Sequence, residues 1–104
     1  LITQVMVNLL KNAREAVAVG EGPKRIAVRT SIDSDERVNI EVSNNCGPIP
    51  PDVAENIFTP FFTTKDGGSG IGLAVSRQIV RLHGGSLRLT SNRPDCVAFT
   101  VTLD

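Results

Sequence analysis

Apolar residues recur every three or four positions in two stretches of the chain, and this spacing predicts two long amphipathic helices. The first covers residues 2–18 and is ended by the glycine-containing segment that follows it. The second begins near residue 71 and is ended by Gly84-Gly85. The apolar stripe predicted for this second helix consists of Ile71, Val75, Ile79 and Leu82.

Strict alternation of apolar and polar residues predicts four strands. The first two, at 26–32 and 38–43, are joined by a polar turn and are typical of an antiparallel hairpin with one buried face. A third strand begins at Leu87 and a fourth covers 97–103, while a proline favours a short helix over 51–57. Hairpins separated by helices predict an α+β two-layer sandwich, in which helices cover one face of a mostly antiparallel sheet.

Composition sets limits on the function but does not identify it. The 104 residues suffice for one domain, and a formal net charge of zero gives no attraction to nucleic acid or to an anionic membrane surface. Cys46 and Cys96 lack metal-ligand spacing, and a disulfide between them is not favoured. The chain begins within a helical pattern and without Met, so we expect a fragment of a longer protein.

Asn8 and Asn12 place two carboxamides one helical turn apart on the first predicted helix. Both border the apolar stripe, at positions where Ala or Leu would favour a helix more strongly. A carboxamide oxygen can bind Mg²⁺, which shares its oxygen ligands with substrate phosphates. A solvated helix position is the alternative for either residue, and the glycine-rich segment downstream favours the magnesium interpretation.

That glycine-rich segment, with Gly68, Gly70 and Gly72, opens directly into the second long helix. Alternating glycines let the backbone approach phosphates closely, and a helix N-terminus adds N–H donors and a positive dipole end. Lys65 would add a charge and Ser69 a hydroxyl. The segment does not follow a strand, as a Rossmann motif requires, and no P-loop is present. These features predict a nucleotide site closed by a mobile lid.

Taken together, the segments resemble the ATP-binding catalytic domain of bacterial sensor histidine kinases, within the superfamily that includes Hsp90, type II topoisomerases and MutL. Residues 8–16 resemble the family's N box, residues 58–65 its F box, and residues 68–73 its second glycine box. The resemblance implies the Bergerat ATP-binding fold, an α/β sandwich with a mostly antiparallel, mixed sheet. It also implies ATP and Mg²⁺ as cofactors.

The resemblance further implies a phosphoryl-transfer pathway. The γ-phosphoryl group of ATP would pass to a histidine on a separate dimerisation domain, and then to a response regulator. The domain would be cytoplasmic, with a parent protein that is a homodimer and can be membrane-anchored. His83, the one histidine here, is not the phosphoacceptor, so the isolated chain should not autophosphorylate.

The resemblance also assigns roles to individual residues. Asn12 would bind Mg²⁺, and Asn8 would assist at the same site as a candidate catalytic residue. Lys11 and Lys65 are candidates for phosphate contact. The other residues implied at the nucleotide site are Asn44, Gly47, Phe62, Gly68, Ser69, Gly70, Ile71, Gly72 and Leu73.

One motif departs from the family pattern. The family reads Asp-Asn-Gly-Pro-Gly-Ile-Pro where residues 44–50 read Asn-Asn-Cys-Gly-Pro-Ile-Pro. Asn44 therefore replaces the Asp that accepts a hydrogen bond from the adenine amino group. A neutral acceptor contributes ~0.5–1.5 kcal/mol and a charged one ~1.5–3 kcal/mol, so we expect affinity to be about tenfold lower or worse. By the same resemblance, Cys46 in place of a glycine would narrow the adenine pocket.

Three functions follow from this pattern, and the first is favoured: a kinase domain with weakened ATP binding. The second is a pseudokinase or regulatory interaction module that does not bind nucleotide, with Asn44 only a turn residue. The intact Asn12 and the glycine box oppose that function. The third, an ATP-driven clamp, is disfavoured because Asn8 stands where such proteins place a catalytic Glu.

Overall fold

The computed structural model describes residues 2–18, 22–59 and 72–104. In chain order the elements are α1 (Ile2–Ala18), β1 (Ile26–Ile32), β2 (Val38–Asn44), α2 (Pro51–Glu55), α3 (Gly72–Leu82), β3 (Ser86–Arg93) and β4 (Cys96–Leu103). Every predicted helix and strand is present. Helix α2 is shorter than predicted and ends at Glu55, whereas β2 continues one residue further than predicted, to Asn44.

The four strands form one sheet in the order β1-β2-β4-β3, and each pairing in the described part of the chain is antiparallel. Helix α1 lies against β2, and α3 lies against β3 and α1. The predicted α+β sandwich with a mostly antiparallel sheet is therefore confirmed. Strand β4 lies between β2 and β3 and is buried from Val97 to Thr102.

The hydrophobic core lies between the two long helices and one face of the sheet. Its buried members are Val5, Leu9, Ala13, Val42, Val80, Leu87, Val97, Phe99 and Val101. Full burial of one large aliphatic or aromatic side chain contributes ~1.5–3 kcal/mol. This cluster therefore fixes α1 and α3 on the sheet, and with them the functional segments that the two helices carry.

Two predictions of burial are wrong. Strand β1 lies at the sheet edge, and its apolar face is exposed because α1 packs chiefly on β2; Val28 is 51% exposed and Ile32 72% exposed. On α3 the predicted apolar stripe is displaced, since Leu82 is 77% exposed whereas Ser76 and Val80 are buried. The polar Ser76 on the buried face is explained by its hydrogen bonds, described below.

Among the described residues, no helix combines the length and the apolar character that crossing a membrane requires.

Candidate functional site

Asn8 joins the first helix to the start of α3. Its Nδ2 donates to the carbonyl oxygen of Gly72 over 3.2 Å and to Oγ of Ser76 over 3.0 Å. Ser76 Oγ in turn donates to the same Gly72 carbonyl over 2.8 Å, and Asn8 Oδ1 accepts from Gln4 Nε2 over 3.1 Å. These bonds bring the N box and the last glycine of the second glycine box together, although they lie 64 residues apart.

Three other described residues of the predicted site, Lys11, Asn12 and Leu73, lie within four positions of Asn8 or Gly72 in the sequence. Asn12 is half-buried one turn after Asn8, as expected for a residue bordering the apolar stripe, and Lys11 is exposed. A Cβ at Gly72 would meet no atom of the other described residues within 4 Å. Leu73, predicted to contact nucleotide, is half-buried and packs against the hydrophobic core.

Asn44 is the last residue of β2 and is buried, with 4% of its surface exposed. Its Oδ1 accepts a hydrogen bond from the backbone N–H of Cys46 over 2.9 Å, the bond of an Asx turn. The interpretation of Asn44 as a turn residue is thus correct for the folded chain. An oxygen has two lone pairs, so this bond leaves Oδ1 able to accept a second donor.

Gly47 packs tightly against the turn between β3 and β4. Its N–H donates to the carbonyl of Pro94 over 3.1 Å, and a Cβ at this position would overlap the carbonyl oxygen of Arg93. The glycine is therefore required by packing within the protein itself. Cys46 and Cys96 are both free thiols, in agreement with the expectation that no disulfide joins them.

Phe58, the first residue of the predicted F box, is anchored on two sides. Its ring meets Phe99 of β4 edge-to-face, with ring centres 6.1 Å apart. The guanidinium carbon of Arg77 lies 4.6 Å from the centre of the Phe58 ring, which places a cation over its π face. The start of the F box is thus fixed to the sheet and to α3 together.

The whole chain, residues 1–104, matches the model of the histidine kinase-, DNA gyrase B- and HSP90-like ATPase family. The chain belongs to this family. The expected histidine-kinase resemblance is confirmed by relatives and solved structures alike. Sensor protein FixL of Bradyrhizobium diazoefficiens is 40% identical over 102 residues, which cover 98% of this chain and 20% of FixL. The chain therefore spans about a fifth of that relative's length.

Solved structures of histidine kinase ThkA share the fold. One structure of its nucleotide-free catalytic domain superposes with a TM-score of 0.79 at 36% identity, covering 98% of this chain and 65% of that one. ThkA in complex with the response regulator TrrA gives a TM-score of 0.75 at 35% identity, covering 98% of this chain and 28% of that one. The described part of this chain thus has the architecture of a histidine kinase catalytic domain.

Some of the family residues predicted here lie outside the described ranges. They are Phe62, Lys65, Gly68, Ser69, Gly70 and Ile71. Their assignment to the nucleotide site stays a prediction. The described members form two groups. Asn8, Lys11, Asn12, Gly72 and Leu73 lie on α1 and at the start of α3, and Asn44 and Gly47 lie at and just beyond the end of β2. Both groups adjoin the hydrophobic core, through Leu73 in the first case and Ile49 in the second.

His83 has the structural role expected of it. It lies just beyond the C-terminus of α3, where its Nδ1 donates to the carbonyl oxygen of Ile79 over 2.9 Å. The same carbonyl also accepts the backbone N–H of His83 over 3.2 Å, so the ring adds a second hydrogen bond at the end of the helix. The side chain is exposed and belongs to neither group of candidate site residues.

Sequence reasoning missed two residues that contact the site. Ser76 holds the carboxamide of Asn8, and Asn92 of β3 makes two hydrogen bonds to the backbone of Ile49. The sequence does indicate the position of Ser76, because it lies three residues after Leu73 and four before Val80, and this spacing places all three on one face of a helix. No comparable sequence signal marks Asn92, since its contact depends on how β3 is paired.

One carboxylate of the described residues, that of Asp33, has a lowered pKa, and it lies at the opposite end of β2 from Asn44. In the β1–β2 turn, a hydrogen bond from the backbone N–H of Arg37 is the largest of the effects that lower the pKa of Asp33 below 3.8. The side chain of Asn39 and the backbone N–H of Asp35 also donate to this carboxylate. This cluster stabilises the hairpin and is not part of the candidate site.

Proposed function

We propose that residues 1–104 are the ATP-binding catalytic domain of a sensor histidine kinase, and that they transfer the γ-phosphoryl group to a histidine on a separate dimerisation domain. The bond between the γ-phosphorus and the β,γ-bridging oxygen breaks, a P–N bond forms to the acceptor imidazole, and ADP leaves. The hydrogen bonds from Asn8 to Gly72 and Ser76 carry this proposal, because they join the N box to the second glycine box.

The two asparagines of the N box have different roles in this proposal. The carboxamide of Asn8 is engaged with α3, so we assign it to positioning the start of that helix and not to a direct catalytic step. Asn12, one turn further along, supplies the amide oxygen for the nucleotide site. Lys11 and Lys65 would provide positive charge for phosphates, and the glycines would let the backbone approach them.

Magnesium suits the donors of the N box. In the described residues, no three or more His, Cys, Asp or Glu side chains are grouped so that they could hold a metal ion. Mg²⁺ usually keeps several waters and binds through few protein oxygens together with substrate phosphates, which the amide oxygen of Asn12 fits. Bound there, the ion would neutralise phosphate charge, while the chain's own groups position the nucleotide.

Adenine recognition is the weakened part of the proposed site. Asn44 offers a neutral oxygen that already accepts the Cys46 N–H, so the amino group of adenine would be the second donor to it. The contribution of a neutral acceptor is smaller than that of a carboxylate by roughly 1 kcal/mol or more, so we expect the affinity to be about tenfold lower or worse. We therefore propose weak but specific ATP binding.

The alternative is a regulatory module of the same fold that has lost nucleotide binding. The Asx turn at Asn44 and the tight packing of Gly47 would suit such a module, since both are explained by folding alone. The relatives argue against it, because FixL is named a sensor protein and ThkA a histidine kinase. We therefore favour the active domain.

The partners of the parent protein are part of the proposal. They are the dimerisation and phosphoacceptor domain of the same protein and a response regulator. ThkA has been solved in complex with such a partner, the response regulator TrrA. A homodimeric parent and a cytoplasmic location for this domain complete the proposal, with no contact to nucleic acid or directly to membrane.

Isothermal titration of the chain with ADP and ATP, with and without Mg²⁺, tests ATP binding directly. We expect saturable binding that requires Mg²⁺ for full affinity and falls at least tenfold in Asn12→Ala. Lys24→Ala, an exposed residue before β1, is the matched surface control and should bind as the native chain does. Absence of binding by the native chain would favour the regulatory module.

A further inference from the structure

The backbone of Ile49 is clamped by one side chain from another part of the chain. Asn92 Nδ2 donates to the carbonyl oxygen of Ile49 over 2.9 Å, and the N–H of Ile49 donates to Asn92 Oδ1 over 2.7 Å. A carboxamide has the same donor and acceptor edge as a peptide group. Asn92 therefore binds Ile49 as a neighbouring strand would.

The clamped residue belongs to the Asn44–Pro50 segment, which we call the box segment. After Asn44, the Cys46 N–H goes to the Asn44 side chain and the Gly47 N–H goes to the carbonyl of Pro94. The Ile49 N–H goes to Asn92. The box segment is thus bound at successive points, and the last of them depends on a side chain of β3.

Strand pairing places Asn44 and Asn92 in one row across the sheet. Val97 of β4 pairs with Asn44 of β2 on one side and with Asn92 of β3 on the other. Two strand spacings amount to roughly 10 Å, which the box segment crosses between these two residues. Asn92 therefore fixes the far end of a segment whose near end is the candidate adenine-binding residue.

An irregularity in β3 directs Asn92 towards the box segment. The register with β4 shifts between Leu89 and Ser91, so that Leu89 pairs with Phe99 but Asn92 pairs with Val97. Directly paired residues share a face of the sheet, and Val97 and Phe99 belong to the core face. Without the shift Asn92 would lie on the opposite face, since Leu89 and Asn92 are an odd number of residues apart. Bulges of this kind redirect side chains.

From these contacts we infer that Asn92 is a positioning residue for recognition of the nucleotide base. It fixes the box segment through Ile49, so that Asn44 presents its oxygen to the amino group of adenine. The inference rests on the proposed ATP binding and assigns base selectivity within that same site. Asn92 itself does not touch the nucleotide. Its side chain is exposed, so its removal leaves no buried cavity and acts through the two hydrogen bonds.

The test compares the affinities for ATP and GTP, which carry the same triphosphate, at one Mg²⁺ concentration. We expect the native chain to prefer ATP, and Asn92→Ala to lower ATP affinity about fivefold while leaving GTP affinity nearly unchanged. The preference ratio therefore falls by about the same factor. A loss of stability alone would weaken both nucleotides together and leave the ratio unchanged.

Asn39→Ala is the matched control. Asn39 also makes two hydrogen bonds, to Asp33 and Thr102, but lies at the other end of β2. We expect it to keep the preference ratio of the native chain. A second measurement follows amide hydrogen exchange in the absence of nucleotide. Asn92→Ala should speed exchange at Ile49 more than at Gly47, whose acceptor is the carbonyl of Pro94.

The outcomes separate this inference from the proposed function. A native chain that binds neither nucleotide overturns the proposed function. A native chain that prefers ATP, with the same preference in Asn92→Ala, overturns the role of Asn92 and leaves the proposed function standing. Equal binding of ATP and GTP by the native chain overturns base recognition by the box segment, as does an equal fall of the ratio in Asn39→Ala.

Discussion

Asn8 of α1 and Ser76 of α3 are joined side chain to side chain, with Asn8 Nδ2 3.0 Å from Ser76 Oγ, and Ser76 is fully buried. A polar group this deep in the protein is tolerated because its hydroxyl both donates, to the Gly72 carbonyl, and accepts, from Asn8. The pair fixes the relative position of the two helices that carry the functional motifs. It also explains why the buried face of α3 includes a serine.

Replacement of Ser76 by Ala should lower the free energy of unfolding by about 1–2 kcal/mol, because Asn8 loses one of its two acceptors in a partly buried contact. Urea unfolding followed by far-ultraviolet circular dichroism measures this, as the chain has no Trp or Tyr to report fluorescence. Ser31→Ala, at an exposed position of β1, is the matched control and should stay within about 0.5 kcal/mol. Equal losses in the two variants would contradict the importance of the pair.

Asn44→Asp should tighten ADP binding by about tenfold, since a charged acceptor replaces a neutral one while the bond from the Cys46 N–H can be kept. The ligand-free domain should become less stable, because the carboxylate is buried at a position that is 4% exposed. Titration calorimetry measures the first effect and urea unfolding the second.

Asn45→Asp is the control for Asn44→Asp, because it adds the same charge one residue further along. The side chain of Asn45 instead binds the backbone of Pro23 and Arg25, beside the start of β1. If Asn45→Asp tightened ADP binding as much, the effect would be one of general charge and not of the adenine contact at Asn44.

Two adjacent glycines after α3 should respond differently to Ala. A Cβ at Gly85 would overlap the carbonyl oxygen of Thr102, so Gly85→Ala should cost about 2–3 kcal/mol or more. Gly84 has a φ of +77°, but an added Cβ would meet no atom of the described residues within 4 Å, so Gly84→Ala should cost only about 1 kcal/mol. Thermal and urea unfolding of the two variants give the comparison. A larger loss at Gly84 would show that backbone conformation outweighs packing at this turn.

The lowered pKa of Asp33 predicts a pH dependence of stability. The carboxylate accepts bonds from Arg37, Asn39 and Asp35 in the folded chain, so its contribution is fully present above its unfolded pKa of about 3.8. This contribution is lost as the pH falls through the lower folded pKa. Asp33→Asn should therefore destabilise the chain more at pH 7 than at pH 3, measured by urea unfolding at both pH values. An equal difference at the two pH values would contradict the prediction.

The helices and strands were predictable because each shows a clear hydrophobic period, but burial was not. The stripe containing Val75 and Leu82 has good helical spacing, yet the buried face of α3 is centred on Ser76, whose polarity conceals it from hydrophobic pattern analysis. Similarly, alternation in β1 predicts a buried face for Val28. The strand order places β1 at the edge of the sheet, where this face is exposed, and no local sequence pattern predicts the strand order.

The candidate site was predictable where its residues follow one another in sequence and not where strands bring them together. Asn8, Asn12 and Gly72 belong to recognisable motifs, and the structure places Asn8 against Gly72. The contact between Asn92 and Ile49 depends on a register shift in β3, which arises only once β3 pairs with β4. The sequence places Asn44 in the turn after β2, and its side chain does accept the bond of that turn, but Asn44 also ends β2, where it pairs with both Ile26 and Val97.

The position of β4 in the sheet has a consequence for biosynthesis. The β1–β2 hairpin is made before β4, which is its neighbour in the sheet but the last strand of the described residues, and Val42 of β2 pairs with Phe99 of β4. The nascent hairpin cannot complete its sheet while β4 is still inside the ribosome. Such long-range pairings slow folding. We therefore expect this domain to fold only after β4 has left the ribosome, with its apolar strand surface available to chaperones until then.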